Sequence, residues 1–285
     1  MQMTGNRDQS SHRASVSVTF DNLGEAAEIQ LGIFGADQPR GEHFSVLEVL
    51  PRVLELLESL HLRGTFFVEG LNAETYPEAL RSIAAAGHEV AAHAWCHEPW
   101  AALGADREAD LLARTTTAMN EIGIRPRGFR PPGGVVTEHT AALLLEQGYS
   151  YHSPAGRREG VAEGLAVLPF RWRLVDAYYY MPQFGELRQR HGDDAGPLTP
   201  QDMRHAMLAA LDAHPQSGGH LALLFHPFLA GLSDECFIAM RDVLERVEQL
   251  AVEGCCEVTR MDETAGELLS EPAPNAPELD ASTWT

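Results

Sequence analysis

Two histidines four residues apart, His93 and His97 in HAWCHEPW, are of a type and spacing that suggests a metal site. Neutral imidazoles are good ligands for divalent ions such as zinc. The spacing carries little weight by itself, because 13 histidines among 285 residues give about 0.6 such pairs by chance. A metal hypothesis therefore needs further residues in support.

Further polar residues follow predicted strands, at the face where parallel α/β barrels build their active sites. The segments concerned are TFDN, RPPGG, LPFRWRLVD and LLFHP, together with the histidine pair. Their strand-end residues are, in chain order, Asp21, Asn22, His93, Arg130, Trp172, Asp176 and His226. Packing alone does not explain five such clusters at equivalent positions, so we expect these side chains to meet at one site.

The elements that would position these residues alternate between short apolar runs and longer helical patterns. This alternation predicts repeated βα units and a mostly parallel sheet. Strands are predicted near residues 15–20, 64–68, 88–93, 127–130, 149–153, 165–172, 221–225 and 256–260. Helices are predicted near residues 46–60, 75–86, 105–123, 137–147, 199–213, 234–252 and 262–269. A chain of 285 residues suits a single α/β barrel.

The two ends of the chain differ in composition from the rest. Residues 1–13 are polar and residues 270–285 are rich in proline and acids, so both are expected to be flexible segments around a catalytic barrel at 14–269. The stretch 177–200 is long for a connection and begins with three tyrosines, which favours either a substrate wall or a plain surface excursion.

Charge and cysteine content exclude several classes of protein. The formal net charge is −20, which disfavours binding to nucleic acid or to an anionic membrane. The four cysteines show no CxxC spacing, which argues against both a disulfide framework and a thiolate zinc site. The first twenty residues contain no continuous apolar run, so the sequence reads as that of a cytoplasmic protein.

Five segments, in order, resemble motifs of the polysaccharide deacetylase superfamily, carbohydrate esterase family 4. TFDN resembles the family's Thr-Phe-Asp-Asp, RGTFFVEG its second-strand signature, and AGHEVAAHAWCH the segment that ends in its His-x-x-x-His pair. RPPGG fits Arg-x-Pro-x-Gly and LLFHP fits Leu-x-x-His-Pro, whereas the fourth motif is matched only loosely. The resemblance covers roughly residues 15–265 and implies a distorted (β/α) barrel of about seven or eight parallel strands.

The resemblance also implies a role for each matched residue. His93 and His97 would hold a divalent metal, expected to be zinc, that activates water and polarises an amide carbonyl. Asp21 is either the third metal ligand or the catalytic base, and the sequence leaves both roles open. Arg130 would orient and keep ionised the carboxylate that accepts the proton of the attacking water. The Gly133 N–H would stabilise the oxyanion, and His226, kept charged by Asp176, would protonate the leaving amine. Apart from the resemblance, Trp172 and Tyr178 are candidates for substrate contact: Tyr178 could stack on a sugar ring or pack within an aromatic loop, and Trp172 could line the site or belong to the core.

One position departs from the family pattern. The second aspartate of the first motif is Asn22 here, and a neutral amide is a poor ligand for zinc. If the acids are instead read in an Asp-x-Asp register, Asp21 is the ligand and Thr19 stands where the base should be. Glu25 and Glu69 lie near the same strand ends and are candidates for the missing carboxylate.

Three functional hypotheses follow. The first is a metal-dependent hydrolase that removes an acetyl group from an N-acetylated amino sugar or a related small amide. The second is a metal-independent hydrolase that opens a small cyclic amide, similar to the allantoinase branch of the superfamily. The third is a catalytically silent barrel that binds carbohydrate or protein. The histidine, arginine and aspartate set favours an enzyme over the third.

Overall fold

A curled sheet of mainly parallel strands carries the predicted site residues. The computed structural model describes residues 14–35, 37–271 and 275–280. The predicted flexible N-terminal segment 1–13 lies outside the described residues, as do parts of the predicted tail 270–285. None of the helices formed by the described residues is long and apolar enough to cross a membrane.

The strands follow the predicted order. They are Ser15–Asp21 (β1), Thr65–Val68 (β2), Glu89–Ala92 (β3), Gly128–Phe129 (β4), Tyr151–His152 (β5), Gly156–Arg158 (β6), Gly160–Ala162 (β7), Leu165–Val167 (β8), His220–Phe225 (β9), Glu257–Val258 (β10) and Glu278–Leu279 (β11). The predicted strand at 165–172 is shorter than expected. Pro169 lacks an N–H for a ladder bond, and beyond it Phe170 makes a single parallel bridge to Ala155.

Helices connect most of the strands along the chain. They are Ala26–Gln30 (α1), Leu50–Ser59 (α2), Gly70–Thr75 (α3), Pro77–Ala85 (α4), Ala105–Glu121 (α5), Thr140–Glu146 (α6), Asp176–Tyr180 (α7), Gly185–Arg190 (α8), Pro200–Ser217 (α9), Pro227–Ala230 (α10), Asp234–Val252 (α11) and Met261–Ser270 (α12). A π-helical turn, Ser45–Val49, leads into α2. Short 3₁₀ turns lie at Trp100–Ala102, Pro132–Gly134, Trp172–Leu174 and Pro182–Phe184.

The sheet order confirms the predicted distorted barrel. The strands run β10-β1-β2-β3-β4-β5-β8-β7, and β9 pairs with β1. Among the described strands of this sheet, β7 pairs antiparallel with β8 and the other pairs are parallel. After β8, Val175 forms a parallel bridge with Leu224 of β9, which curls the sheet back on itself. The carboxyl ends of the parallel strands therefore gather at one face.

Apolar and polar side chains alternate along SVSVTFD, so β1 contributes one face to the core and the other to the site. Val16, Val18 and Phe20 are at most 1% exposed and lie on one face of the strand, since side chains alternate along it. Thr19 and Asp21 lie on the opposite face, around which the polar residues of the site gather.

Two segments with uncertain predictions have defined structure. Within the predicted flexible tail, β11 pairs antiparallel with β6, which ties residues 278 and 279 to the main body. The stretch 177–200 contains most of α7 and all of α8 rather than an extended loop.

Candidate active site

A buried ion pair between Asp21 and Arg130 forms the centre of the site. Asp21 is the last residue of β1 and Arg130 follows β4, so both reach the carboxyl face. Arg130 Nη1 donates to Asp21 Oδ1 at 2.6 Å and to Thr19 Oγ1 at 2.9 Å. Its Nε and Nη2 donate to Ser153 Oγ at 3.2 and 3.0 Å. These contacts fix the orientation of the Asp21 carboxylate.

His93 presents a free ring nitrogen to the same carboxylate. Its Nδ1 lies 2.8 Å from the Arg130 carbonyl oxygen, which can only accept, so Nδ1 carries the proton. Nε2 is then unprotonated in the neutral ring and lies 4.0 Å from Asp21 Oδ2. Burial lowers the pKa of His93 to about 3, which keeps the ring neutral and available as a ligand.

His97 lies next to His93 because the intervening chain makes a tight turn. Ala94 and His97 have φ values of 59° and 67°, in the left-handed region. The Glu98 carboxylate supports this turn by accepting from the N–H groups of Trp95 at 3.1 Å and Cys96 at 2.9 Å.

The two imidazole rings meet edge to face. Their centroids are 5.0 Å apart. Burial, followed by the charge of His93, lowers the pKa of His97 to about 3. The predicted histidine pair is therefore brought together in its neutral state.

The replacement at Asn22 leaves an unusual polar environment. Asn22 has a φ of 57°, and its Oδ1 is buried without a hydrogen-bond partner among the described residues. Glu25 does not supply the missing acid, because its carboxylate already accepts from the Gly41 N–H at 2.7 Å and the Tyr76 hydroxyl at 2.5 Å.

Glu69 is a buried acid with one uncommitted oxygen. Its Oε2 accepts from Asn72 at 2.9 Å, whereas Oε1 has no partner within the part of the chain that the structure describes. Burial, and to a lesser extent the charge of Asp21, raises the pKa of Glu69 well above its usual range. Glu69 therefore resides close to the site as an acid that favours its neutral form.

A second histidine–carboxylate pair joins α7 to the end of β9. His226 Nδ1 lies 2.5 Å from Asp176 Oδ1, and the His226 backbone N–H donates to Asp176 Oδ2 at 2.7 Å. Burial alone would lower the pKa of His226, but Asp176 and more weakly Asp21 outweigh burial and raise it. Asp176 thus favours the protonated form of His226, whereas burial favours the neutral form of His93 and His97.

The turn after Arg130 leaves open space at Gly133. Gly133 has a φ of 79°, and a Cβ built there would lie more than 4 Å from every described atom outside its chain neighbours. A Cβ at Gly134 would instead lie 2.9 Å from Phe170. There is therefore room for a side chain at position 133 but not at position 134.

The two predicted aromatic contacts differ in the structure. Trp172 is 6% exposed and packs against Phe170 and Phe184, and its indole N–H has no partner among the residues described. Tyr178 is 0% exposed and donates its hydroxyl to Asp193 at 2.6 Å. The predicted substrate contact by Tyr178 is therefore wrong for this conformation, because the ring has no accessible surface for stacking.

The chemical types of the side chains at the site, carboxylate and neutral imidazole, suit a divalent metal. Asp21 Oδ2 and His93 Nε2 face one another, and neutral imidazole and carboxylate are groups that zinc prefers. Across the described ranges, however, no three His, Cys, Asp or Glu side chains are gathered closely enough to hold an ion as they stand.

Sequence reasoning missed two supporting residues. Ser153 follows β5 and anchors Arg130, so the strand-end argument applied to HSPAG could have found it. Glu98 acts on backbone N–H groups, a contact for which the sequence gives no specific signal.

Comparison with known proteins identifies a family to which this chain is similar. The family model for polysaccharide deacetylase matches residues 8–152, about half of the chain. The peptidoglycan deacetylase of Helicobacter pylori is 36% identical over 103 residues, which make up 36% of this chain and 35% of that protein. The peptidoglycan-N-acetylglucosamine deacetylase of Bacillus cereus is 31% identical over 104 residues, or 36% of this chain and 38% of that protein. The chain thus matches little more than a third of either relative's length.

A solved structure extends the similarity over nearly the whole fold. A protein from Mycobacterium smegmatis, described as a polysaccharide deacetylase, superposes with a TM-score of 0.80 at 29% identity and covers 96% of each chain. Together with the family match, this shows that the chain belongs to the polysaccharide deacetylase family.

Proposed function

We propose that this protein is a hydrolase that removes the acetyl group from an N-acetylated amino sugar or a related small amide. One observation carries the proposal: the neutral pair His93 and His97 lies at the same barrel face as His226, which is hydrogen-bonded to Asp176 and whose pKa that carboxylate raises. Amide hydrolysis needs both a group that activates water or the carbonyl and a separate acid for the leaving nitrogen. The names of the peptidoglycan deacetylase relatives support an N-acetyl substrate.

Each residue has a role that follows from its contacts. Arg130 holds Asp21 in one orientation through a buried, charge-assisted bond. His226, as the imidazolium, donates its Nε2 proton to the amide nitrogen as the carbon–nitrogen bond breaks, and Asp176 accepts the Nδ1–H, which orients the ring and favours its protonated form. The Gly133 N–H stabilises negative charge on the carbonyl oxygen, and Trp172 lines the substrate side.

Members of the family generally depend on a metal. Asp21, His93 and His97 are the residues that would hold the ion, and we propose zinc because of the imidazole content. When bound, the ion would supply Lewis-acid polarisation of water and of the amide carbonyl. With Asn22 in place of a second acid, we expect the ion to be held more weakly than by two adjacent carboxylates.

The test is a product screen on the full chain. Purified protein, either stripped by a chelator or reloaded with zinc, is incubated with a panel of N-acetylated amino sugars and small acetamides, and acetate and free amine are measured. Release of both products by the reloaded protein supports the proposal. Absence of acetate from every member of the panel under every metal contradicts it. The exposed Arg81→Met variant serves as a matched control, since Arg81 pairs with Glu78 on the surface.

A second candidate is a metal-independent hydrolase that opens a cyclic amide. Two observations favour it: Asn22 replaces an expected acid, and the described residues do not gather three ligands. Asp21 would then act as the base rather than as a ligand. Turnover of a cyclic amide that survives exhaustive chelation would favour this candidate, whereas acetate release that depends on added zinc would favour the first.

A further inference from the structure

Arg188 is a buried arginine surrounded by backbone oxygens. It lies in α8, is 0% exposed, and directs its guanidinium at five main-chain carbonyls. The carbonyls belong to Tyr178, Met181, Pro182, Asp194 and Ala195. The contacts to Met181 and Ala195 measure 3.0 and 2.8 Å, and that to Pro182 is longer, at 3.5 Å. Since a guanidinium has five N–H groups, this arrangement uses all of them.

By binding these carbonyls, Arg188 connects two parts of the segment that follows β8: the end of α7 and the chain that returns after α8. Tyr178 and Met181 lie at the carboxyl end of α7, and Asp194 and Ala195 lie on the arm that returns from α8. The last carbonyls of a helix lack partners within it and interact favourably with a cation. Arg188 therefore caps α7 and clamps it to the returning arm.

A helix as short as α7 depends on such external contacts. It has five residues, too few to be stable by its own hydrogen bonds. Its amino end is held by the Val175–Leu224 bridge to β9, and its carboxyl half by Arg188 and by the Leu198 N–H, which donates to the Tyr179 carbonyl at 2.6 Å. The first residue of this helix is Asp176, the partner of His226.

We propose that Arg188 is a positioning residue that keeps Asp176 in contact with His226. This inference rests on the proposed function for the role of His226 as acid, but its structural part stands alone. The guanidinium hydrogen bonds of Arg188 all go to main-chain carbonyls, so Arg188 acts on Asp176 through the backbone of α7. Loss of the guanidinium leaves the Leu198 N–H as the remaining backbone contact described above for the carboxyl half of α7, which loosens the helix so that Asp176 no longer holds the His226 Nδ1–H in a single geometry.

The deciding readout is the His226 Nδ1 proton itself. A proton held in a short bond to a buried carboxylate gives a downfield proton resonance, which ¹⁵N-histidine labelling detects and His226→Ala assigns. We expect this signal in the wild type and in Arg190→Met, a control on the same helix whose side chain is about half exposed. In Arg188→Met the signal is lost or broadened while far-UV circular dichroism stays that of the folded protein.

Arg188→Lys is a more conservative second variant, which keeps the test possible if Arg188→Met does not fold. It keeps the charge but has three donors and no planar fork, so it restores the Nδ1 signal only in part. An unchanged Nδ1 signal in folded Arg188→Met overturns the proposal. Global unfolding of both Arg188→Met and Arg188→Lys also overturns it, because the role would then be stability of the whole barrel.

Activity separates this inference from the proposed function. If an N-acetyl substrate is found, Arg188→Met lowers kcat by about 10- to 100-fold with KM changed by about 2-fold or less, since proton donation matters in the transition state. If no substrate is turned over, the proposed function fails, yet the Nδ1 resonance still decides whether Arg188 positions Asp176. An unchanged kcat together with a lost resonance would contradict the catalytic part of the inference alone.

Discussion

Asp176→Asn removes the negative charge beside His226 while nearly preserving the shape of the side chain. In the wild type this carboxylate takes the His226 backbone N–H at 2.7 Å and its ring Nδ1 at 2.5 Å. Hydrogen bonds to a charged group contribute about 1.5–3 kcal/mol each. Loss of one such interaction in the transition state corresponds to a fall in kcat of about 10- to 150-fold.

The substitution also changes the pH dependence of the reaction. The pKa of His226 is raised because Asp176 outweighs the opposing effect of burial. Without the carboxylate, burial dominates and the pKa falls below its usual value of about 6.5. The general acid must be protonated, so wild-type activity persists above pH 6.5 and is lost as pH rises through the folded pKa. In Asp176→Asn this fall in activity on the basic side of the pH profile, its basic limb, moves below pH 6.5.

The assay compares two kinds of acetyl compound over pH 5–9. Cleavage of an N-acetyl amide needs a proton on the departing nitrogen, whereas an aryl ester such as 4-nitrophenyl acetate releases a stable phenolate without one. Asp176→Asn should therefore slow hydrolysis of the amide far more than hydrolysis of the ester. The control Asp242→Asn, which removes the carboxylate paired with Arg204 away from the site, should slow neither reaction. Equal losses on both compounds, or an unmoved basic limb, would refute the general-acid role of His226.

Three other substitutions test separate parts of the structure. Asn22→Asp should tighten zinc binding, measured by competition with a chromogenic chelator, and unchanged affinity would mean that position 22 does not face the ion. Arg130→Met leaves Asp21 buried and unpaired, so urea denaturation should show a loss of about 3–5 kcal/mol; a loss below about 1 kcal/mol would argue against the buried pair. Burial raises the pKa of Glu89 to about 8, so the folded state keeps a proton that the unfolded chain releases near pH 4.5. Stability should therefore fall by up to ~1.4 kcal/mol per pH unit between these values. Glu89→Gln should abolish that slope, and an identical slope in the variant would assign it to another group.

The positions of the main strands were predictable because their apolar runs are buried. β1, β2, β3 and β9 lie within the predicted ranges to about one residue, since each packs between neighbours in the sheet. The strands β6, β7 and β11 were not predicted. They have two or three residues each, and β11 is exposed, so their sequences lack a strong apolar pattern.

Residues whose side chains lie in the site could be predicted from the sequence. Residues that support the site by binding main-chain groups could not. Asp21, Arg130 and His93 were found from their strand-end positions, and the structure brings them together. Tyr178 was placed wrongly because a tyrosine run does not reveal which ring faces inward. The clamp formed by Arg188 on main-chain carbonyls leaves no signature in the sequence, since any residue supplies a carbonyl.

The most direct test of the account is hydrolysis in ¹⁸O-labelled water by zinc-loaded protein, with His226→Ala alongside. For the N-acetyl compound that the screen identifies, the account predicts equimolar acetate and free amine, one ¹⁸O atom in each acetate, and a rate at least about 10-fold lower in the variant. The account would be contradicted if the folded wild type bound N-acetyl compounds but released no labelled acetate at any metal loading. That result would identify the barrel as a binding protein.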